Sequence, residues 1–505
     1  MKAIASTANL TVPLTAILFG YTVYDFKYTL AENMAKSGKE TVALLVTLLI
    51  TAGAAGGGLW LFRNNILSGI SNSSQTASPG ASPTSSSNVG AVDSRISQGD
   101  RILIASATNS NKQAGVQAIA SGNWQTAIAS LEASLRSERN DPEALIYLNN
   151  ARIGNARSLK IAVSAPISGN ENVAKEILRG VAQAQDTLNQ SGGINGVPVQ
   201  VIIADDGNDP AIAAQVAQVF VANPDILGVV GNFGSDATLA SAKVYQAGQL
   251  VLISPTSTSV QLSGFGNYIF RTVPSDRFAA NSLSRYMLNQ IKKKRAVVFF
   301  NSNSSYSKSL KDEFTTAVFG DGGQVVTEFD LSGAGFDAVQ SLNQAKTKGA
   351  EVIMLATNAA TLDRALQVVA TNRRQLPIIG GDSMYTAKTL QVGGSETVDM
   401  VLAVPWHILA NPAATFPKQA ERLWGGDVNW RTAMAYDATQ AILSGLKQDS
   451  TRAGLQKALA DPNFSTEGAA SRIQFQTSGD RNSPAVLVKV APGKRSGFGY
   501  DFVLP

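Results

Sequence analysis

Four short segments place hydroxyls, small residues and carboxylates directly after apolar runs. Gly231-Asn232-Phe233-Gly234-Ser235-Asp236-Ala237-Thr238 follows ILGVV. If it opens a helix, the free backbone N–H groups and the Ser235 hydroxyl form a site for a carboxylate or other anion. The plainer alternative is that Ser235 or Asp236 caps that helix. Pro255-Thr256-Ser257-Thr258-Ser259 follows LVLIS and lines up four consecutive hydroxyls, either ligand contacts or an ordinary Ser/Thr turn. Arg271-Thr272-Val273-Pro274-Ser275-Asp276 follows YIF, and Asp276 either caps the next helix or offers a carboxylate to a cation. Gly380-Gly381-Asp382-Ser383 sets a second acid after LPIIG. One loop of anion donors and two carboxylates suit a zwitterion. Each charge-assisted hydrogen bond contributes ~1.5–3 kcal/mol, so three or four, less the cost of association, are compatible with roughly micromolar binding.

Other chemistries are closed off by composition. There is no cysteine, which removes disulfides, thiolate metal sites, thiol nucleophiles and a lipidated N-terminal cysteine. The one histidine, His407, ends the run Val404-Pro405-Trp406-His407 and reads as a structural or pocket-wall residue, so no multi-histidine metal site exists. With no convincing nucleophile–base pair, metal set or cofactor motif, the expectation is a binding protein and not an enzyme. The net charge of +5 is small for 505 residues. Its main basic cluster, Lys292-Lys293-Lys294-Arg295, precedes an apolar run without interleaved aromatics, which reads as a solvated helix end and not a nucleic-acid site.

The elements that must hold the four loops are legible from residue 159 onward. Apolar, mostly β-branched runs occur at LKIAV, VPVQVIIA, ILGVV, LVLIS, AVVFF, QVVTEF, EVIMLA, LPIIG and MVLAV, most of them followed by helical periodicity. Ile177, Val181, Ala184 and Leu188, for example, fall on one helical face. Alternation of this kind predicts an α/β fold with parallel sheets covered on both faces. Nine strands are too many for one small sheet, so residues 158–505 read as two Rossmann-like lobes. The first lobe is expected from about 158–273 and 406–475, the second from about 276–403 and 476–505. In open α/β sheets ligands bind beyond the carboxyl ends of strands, which is where the four loops fall.

The N-terminal third is organised differently. Residues 41–62, TVALLVTLLITAGAAGGGLWLF, carry no charge and would span roughly 33 Å as a helix, enough for a bilayer core. Lys36 and Lys39 precede them and Arg63 follows, which predicts an uncleaved single-pass anchor with the long remainder outside. Residues 1–40 form a cytoplasmic segment, and Met34, beginning MAKSGKE, reads as the initiator. Residues 63–97 are rich in Ser and Pro and predict a flexible linker. Residues 98–157 turn helical, with Gly122-Asn123 as a turn, Asp141-Pro142 opening a further helix, and Trp124, Ala127, Leu131 and Leu135 packing inward, like a tetratricopeptide-type hairpin.

Gly192-Gly193-Ile194-Asn195-Gly196, followed by Asp205-Asp206-Gly207-Asn208-Asp209-Pro210, resembles the Leu/Ile/Val-binding family of periplasmic solute receptors that serve ABC importers. The likeness continues through Ala165-Pro166-Ile167-Ser168-Gly169, GNFGSDAT, Ser254-Pro255, Arg271-Thr272, Ser305-Tyr306, Phe336-Asp337 and Ala435-Tyr436-Asp437-Ala438, over about 340 residues in matching order. The resemblance implies a class I periplasmic-binding-protein fold whose lobes close by hinge motion near Asp276 and Trp406. It implies capture of a small polar ligand, an amino acid or similar zwitterion, and delivery to ABC permease subunits outside the cytoplasmic membrane. By position, Ser235 matches the serine at the ligand α-carboxylate, and Thr256 and Thr258 match further contacts. Asp276 matches the acid that receives the α-ammonium, Asp382 a second acid from the opposite lobe, and Tyr306 a cleft tyrosine. The pattern departs in three places: no tyrosine lies between Gly169 and Gly180, Tyr-Gly-x-Gly becomes Tyr306-Ser307-Lys308-Ser309, and Thr357-Asn358 stands where an aromatic often lines the pocket. A branched-chain ligand is therefore not implied. The rival to transport is a membrane-tethered ligand sensor in signalling or assembly.

Overall fold

The computed structural model describes residues 92–469 and 471–505. The expected segment 1–40, the membrane helix 41–62 and nearly all of the linker 63–97 lie outside the described residues. Among the described residues no helix is long and apolar enough to cross a membrane.

The described chain opens with a two-residue strand, β1 (Ile96–Ser97), and three helices, α1 (Ser110–Ala120), α2 (Trp124–Ser137) and α3 (Pro142–Ile153). Each helix starts where a short polar side chain accepts a first-turn N–H: Asn109 from Lys112, Asn123 from Thr126, Asp141 from Ala144, the last with Pro142 in the first turn. Gly122, at φ +72°, makes the α1–α2 turn. Ala127 and Leu131 are fully buried, while Trp124 and Leu135 are half-buried at the rim.

The first sheet and its helices follow as β2 (Leu159–Ala165), α4 (Glu171–Gln190), β3 (Val199–Asp205), α5 (Pro210–Ala222), β4 (Ile226–Val230), α6 (Ser235–Ala247), β5 (Val251–Ser254) and β6 (Ile269–Arg271). Strand order is β1-β3-β2-β4-β5-β6, parallel throughout except that β1 runs antiparallel to β3. The edge strand therefore comes from the N-terminal segment. Helix α3 is buried from Pro142 to Ala151 and packs on α4 and β3, where Asn150 donates to the Val201 carbonyl at 2.8 Å. The helical segment thus shares a core with the first lobe. Ile177, Val181 and Ala184 are fully buried and Leu188 nearly so, as their spacing predicts.

The second sheet is built from α7 (Asp276–Arg285), β7 (Arg295–Phe300), α8 (Ser305–Gly320), β8 (Gln324–Asp330), α9 (Ala338–Thr347), β9 (Val352–Ala356), α10 (Leu362–Asn372), β10 (Ile378–Gly380), α11 (Ala387–Gly393) and β11 (Val401–Val404). The chain then returns through α12 (Thr415–Trp424) to α13 (Trp430–Gln448) and α14 (Arg452–Ala460) on the first lobe, followed by the short pair β12 (Thr466–Glu467) and β13 (Arg472–Ile473). It ends with β14 (Val486–Pro492) and β15 (Tyr500–Val503), which join the second sheet in the order β15-β14-β11-β10-β9-β7-β8. Strands β14 and β15 are antiparallel additions that the parallel pattern did not predict. Two sheets, each flanked by helices, give the α/β architecture expected.

The crossings between lobes are tied by buried ion pairs. Arg271, at the end of β6, holds Asp480 at 2.6 Å and donates to the carbonyls of Ser257 and Ser259. Arg481 pairs with Asp437 of α13 at 2.5 Å. Helices α4 and α13 cross at Gly180, where a Cβ would sit 2.3 Å from the Thr432 carbonyl oxygen. Only glycine permits that approach.

Candidate ligand-binding site

Between the two sheets lies a cleft of about 120 Å³, of the order of the roughly 150 Å³ cavity that accepts benzene, so its occupant is small. Its first-lobe wall is made by the loop after β4 and the start of α6, with Phe233, Gly234, Ser235 and Asp236, and by Thr256 after β5. The second lobe supplies Ser304 just before α8, Tyr306 within it, Asn358 after β9, and Asp382 and Ser383 after β10. Trp430 and Arg431, the first residues of α13, also line it, as do Asn208 between β3 and α5 and the pair Ala359-Ala360.

The start of α6 has no side-chain cap: its cap position is Gly234. Ser235 therefore does not take the capping role, and the first-turn N–H groups lack intrahelical partners. Its hydroxyl accepts the Ser259 N–H at 3.4 Å. Asp236 caps a helix of the other lobe, accepting the Ser305 N–H of α8 at 3.1 Å. The hydroxyl run mostly serves the backbone: Thr256 donates to the Phe233 carbonyl at 2.9 Å, and Ser257 pairs with Thr238 at 2.6 Å.

Of the six residues expected at the site, Ser235, Thr256, Tyr306 and Asp382 line the cleft, while Thr258 and Asp276 lie buried outside its lining. The capping residue of α7 is Ser275 by position, with no side-chain bond, so Asp276 does not cap its helix. The Asp276 Oδ2 and the Thr258 hydroxyl are both buried without a hydrogen-bond partner. Burial pushes the Asp276 carboxyl up to about 7, against the pull of the nearby Ser309 and Thr258 hydroxyls, and the Asp382 charge adds to the rise. Burial likewise pushes Asp382 up to about 6, offset in part by the Tyr306 hydroxyl and the Arg431 charge. Tyr306 donates to Asp382 at 2.8 Å, which fixes that carboxylate at the wall. Asp382, desolvated and held at the wall, can receive a ligand cation there, while Asp276 is desolvated outside the lining.

Arg431 is the largest feature that reading the sequence missed. It is 3% exposed, its Nη1 lies 3.2 Å from Glu176, and its guanidinium stacks 4.4 Å from the Trp430 ring. The one local signal was Asn429, which accepts the Arg431 N–H and marks a helix start at the chain's return to the first lobe. Asn208 reaches the cleft from within the DD-x-x-DP motif, whose acids are scaffold. Asp205 accepts the Ser168 and Gly207 N–H groups, Asp206 binds Ser164 and Asn232, and Asp209 caps α5. His407 lies outside this cleft, held low at about 4 by burial.

The family described as periplasmic binding protein matches residues 158–495. Leu/Ile/Val-binding protein homolog 3 of Brucella melitensis is 26% identical over 336 residues, 65% of this chain and 89% of that protein. An ABC transporter substrate-binding protein from Desulfitobacterium hafniense, solved in complex with Leu, superposes with a TM-score of 0.60 at 23% identity, covering 69% of this chain and 100% of that one. A branched-chain amino acid transporter substrate-binding protein from Streptococcus pneumoniae, solved with isoleucine, superposes with a TM-score of 0.60 at 21% identity over 69% of this chain and 100% of that one.

Proposed function

This chain belongs to the periplasmic binding protein family, whose members are solute receptors and not enzymes, and we propose that it captures an amino acid outside the cytoplasmic membrane for an ABC importer. The observation that carries this reading is the pairing of opposite chemistries in one small cleft. The uncapped start of α6 with Ser235 offers N–H and hydroxyl groups to an α-carboxylate. Asp382, with Asp276 behind the wall, offers carboxylate oxygens to an α-ammonium. Thr256 and Tyr306 orient these groups through their hydroxyls, and Thr258 through its carbonyl, which accepts the Asp276 N–H.

Closure follows from where the donors sit. The anion donors belong to the first lobe and Asp382 to the second, so a zwitterion that engages both stabilises the closed arrangement over an open one. The closed face is then what permease subunits read. We read the charge-free segment 41–62 as the membrane anchor, and the helices of residues 98–157, of tetratricopeptide type, come after it in the chain and before the first lobe.

Isothermal calorimetry of the full-length chain against the proteinogenic amino acids tests this. At least one is expected to bind with roughly micromolar affinity. Absence of heat with every one of them sinks the amino-acid reading.

A further inference from the structure

Resting on the amino-acid reading, the structure points to which amino acid. Three residues that line the cleft are held by other bonds and keep a nitrogen donor without a hydrogen-bond partner in the protein. Asn358 Oδ1 accepts from Asn301 Nδ2 and from the Thr361 hydroxyl, each at 3.0 Å. The Asn301 amide is itself oriented, because its oxygen accepts the Asn303 N–H at 2.8 Å. The Asn358 NH2 group is thereby left as a free donor at the lining. Asn208 repeats the arrangement: its oxygen accepts the Gly234 N–H at 3.0 Å, and its NH2 group is unclaimed. Arg431 spends Nη1 on Glu176 and on the Tyr385 carbonyl, while its buried Nε has no partner.

We propose that Arg431, Asn358 and Asn208 read a carboxylate on the ligand's side chain, so that the ligand is an acidic amino acid and not a branched-chain one. Glu176 is then a positioning residue that holds the guanidinium on the Trp430 ring. An aliphatic side chain closed against these groups would desolvate donors without pairing them, and each such loss is unfavourable. A site built to hydrogen-bond discriminates sharply against a ligand lacking the acceptor. The side chain's second charge also matches the guanidinium fork, which pairs with carboxylates in planar geometry.

The test is calorimetry on the full-length chain with L-glutamate, L-aspartate, their amides, and L-leucine, L-isoleucine and L-valine. One of the two acids is expected to bind at least about tenfold tighter than its amide and roughly a hundredfold tighter than any branched-chain amino acid. A branched-chain amino acid or an amide binding as tightly as the acids overturns this inference and leaves the amino-acid reading standing. No binding by any of them, or by any other amino acid, overturns both. Arg431→Met removes the cation but strands Glu176, so Asn358→Asp is the second variant. It keeps the oxygen that Asn301 and Thr361 use and replaces only the free donor by an anionic acceptor. It should weaken acid binding by at least about tenfold with an unchanged ligand-free melting midpoint. Unchanged acid affinity in the folded Asn358→Asp protein overturns the assignment.

Discussion

Asp236, in the first turn of a first-lobe helix, accepts the backbone N–H of Ser305, in the first turn of a second-lobe helix, at 3.1 Å. A carboxylate of one lobe thus occupies the positive end of the other lobe's helix dipole, which ties the two lobes together across the cleft. Asp236→Ala should bias the protein towards open forms and cost about 1–2 kcal/mol of apparent binding energy. The measurement is the ligand off-rate by stopped flow, expected to rise roughly five- to thirtyfold. A rate equal to wild type would mean that this contact does not report closure.

The two acids give the cleft a pH dependence with a definite sign. Both fold into sites that raise them, Asp276 to about 7 and Asp382 to about 6, from the ordinary 3.8. Stability from keeping them protonated is present at acid pH and is lost as pH rises through about 6 and 7. A ligand ammonium favours the ionised forms, so affinity should climb from pH 5 to 8, by up to about tenfold per unit for each proton displaced. Calorimetry at pH 6.5 in buffers of different ionisation enthalpy should register proton release on binding. Asp276→Asn should raise ligand-free stability at pH 8 and flatten the upper part of the profile; an unchanged profile would detach Asp276 from the ligand.

Lys112 should behave as a structural keystone of the N-terminal helices. Its ammonium is fully buried, 2.7 Å from Asp141 and 2.7 Å from Glu143, and Glu143 also accepts the Leu103 N–H. Lys112→Met leaves two buried carboxylates without their cation, which costs about 3–5 kcal/mol. Since α3 shares a core with α4, thermal unfolding followed by circular dichroism should shift as one transition. A separate early transition confined to the helices would contradict that shared core.

Gly180→Ala sets helix propensity against packing. Alanine gains up to about 1 kcal/mol of propensity in a helix interior. Its Cβ, however, would stand 2.3 Å from the Thr432 oxygen and 2.5 Å from the Tyr436 nitrogen, and backbone cannot step aside as a side chain can. Forcing α4 and α13 apart should win, with a net loss of about 1–3 kcal/mol in urea denaturation. Because Arg431 precedes Thr432, ligand affinity should fall as well.

Much of the fold was legible because strand and helix carry their own periodicities. The nine apolar runs became strands within a residue or two at their ends, and the α4 face came out as spaced. Strands β1, β12, β13, β14 and β15 escaped: two residues carry no period, and β14–β15 pair antiparallel after the alternation has ended. The family motifs proved a guide to architecture more than to contacts. Asp205, Asp206 and Asp209 tie loops, while Arg271 and Asp437 hold the crossings.

The sequence by itself determined the alternating architecture, the loops at strand ends and the supply of hydroxyls and acids, because these follow from local pattern and chain order. Only the tertiary structure decided which of those groups share one cleft. Asp276 and Thr258 went behind its wall, Asp236 crossed to cap the opposite lobe, and Arg431 arrived from a helix more than forty residues beyond Asp382. The physical reason is that a cleft between lobes is assembled from chain segments far apart in sequence. Which way a side chain faces there depends on burial and on the hydrogen bonds left open by neighbours, and neither is written in its own flanking residues.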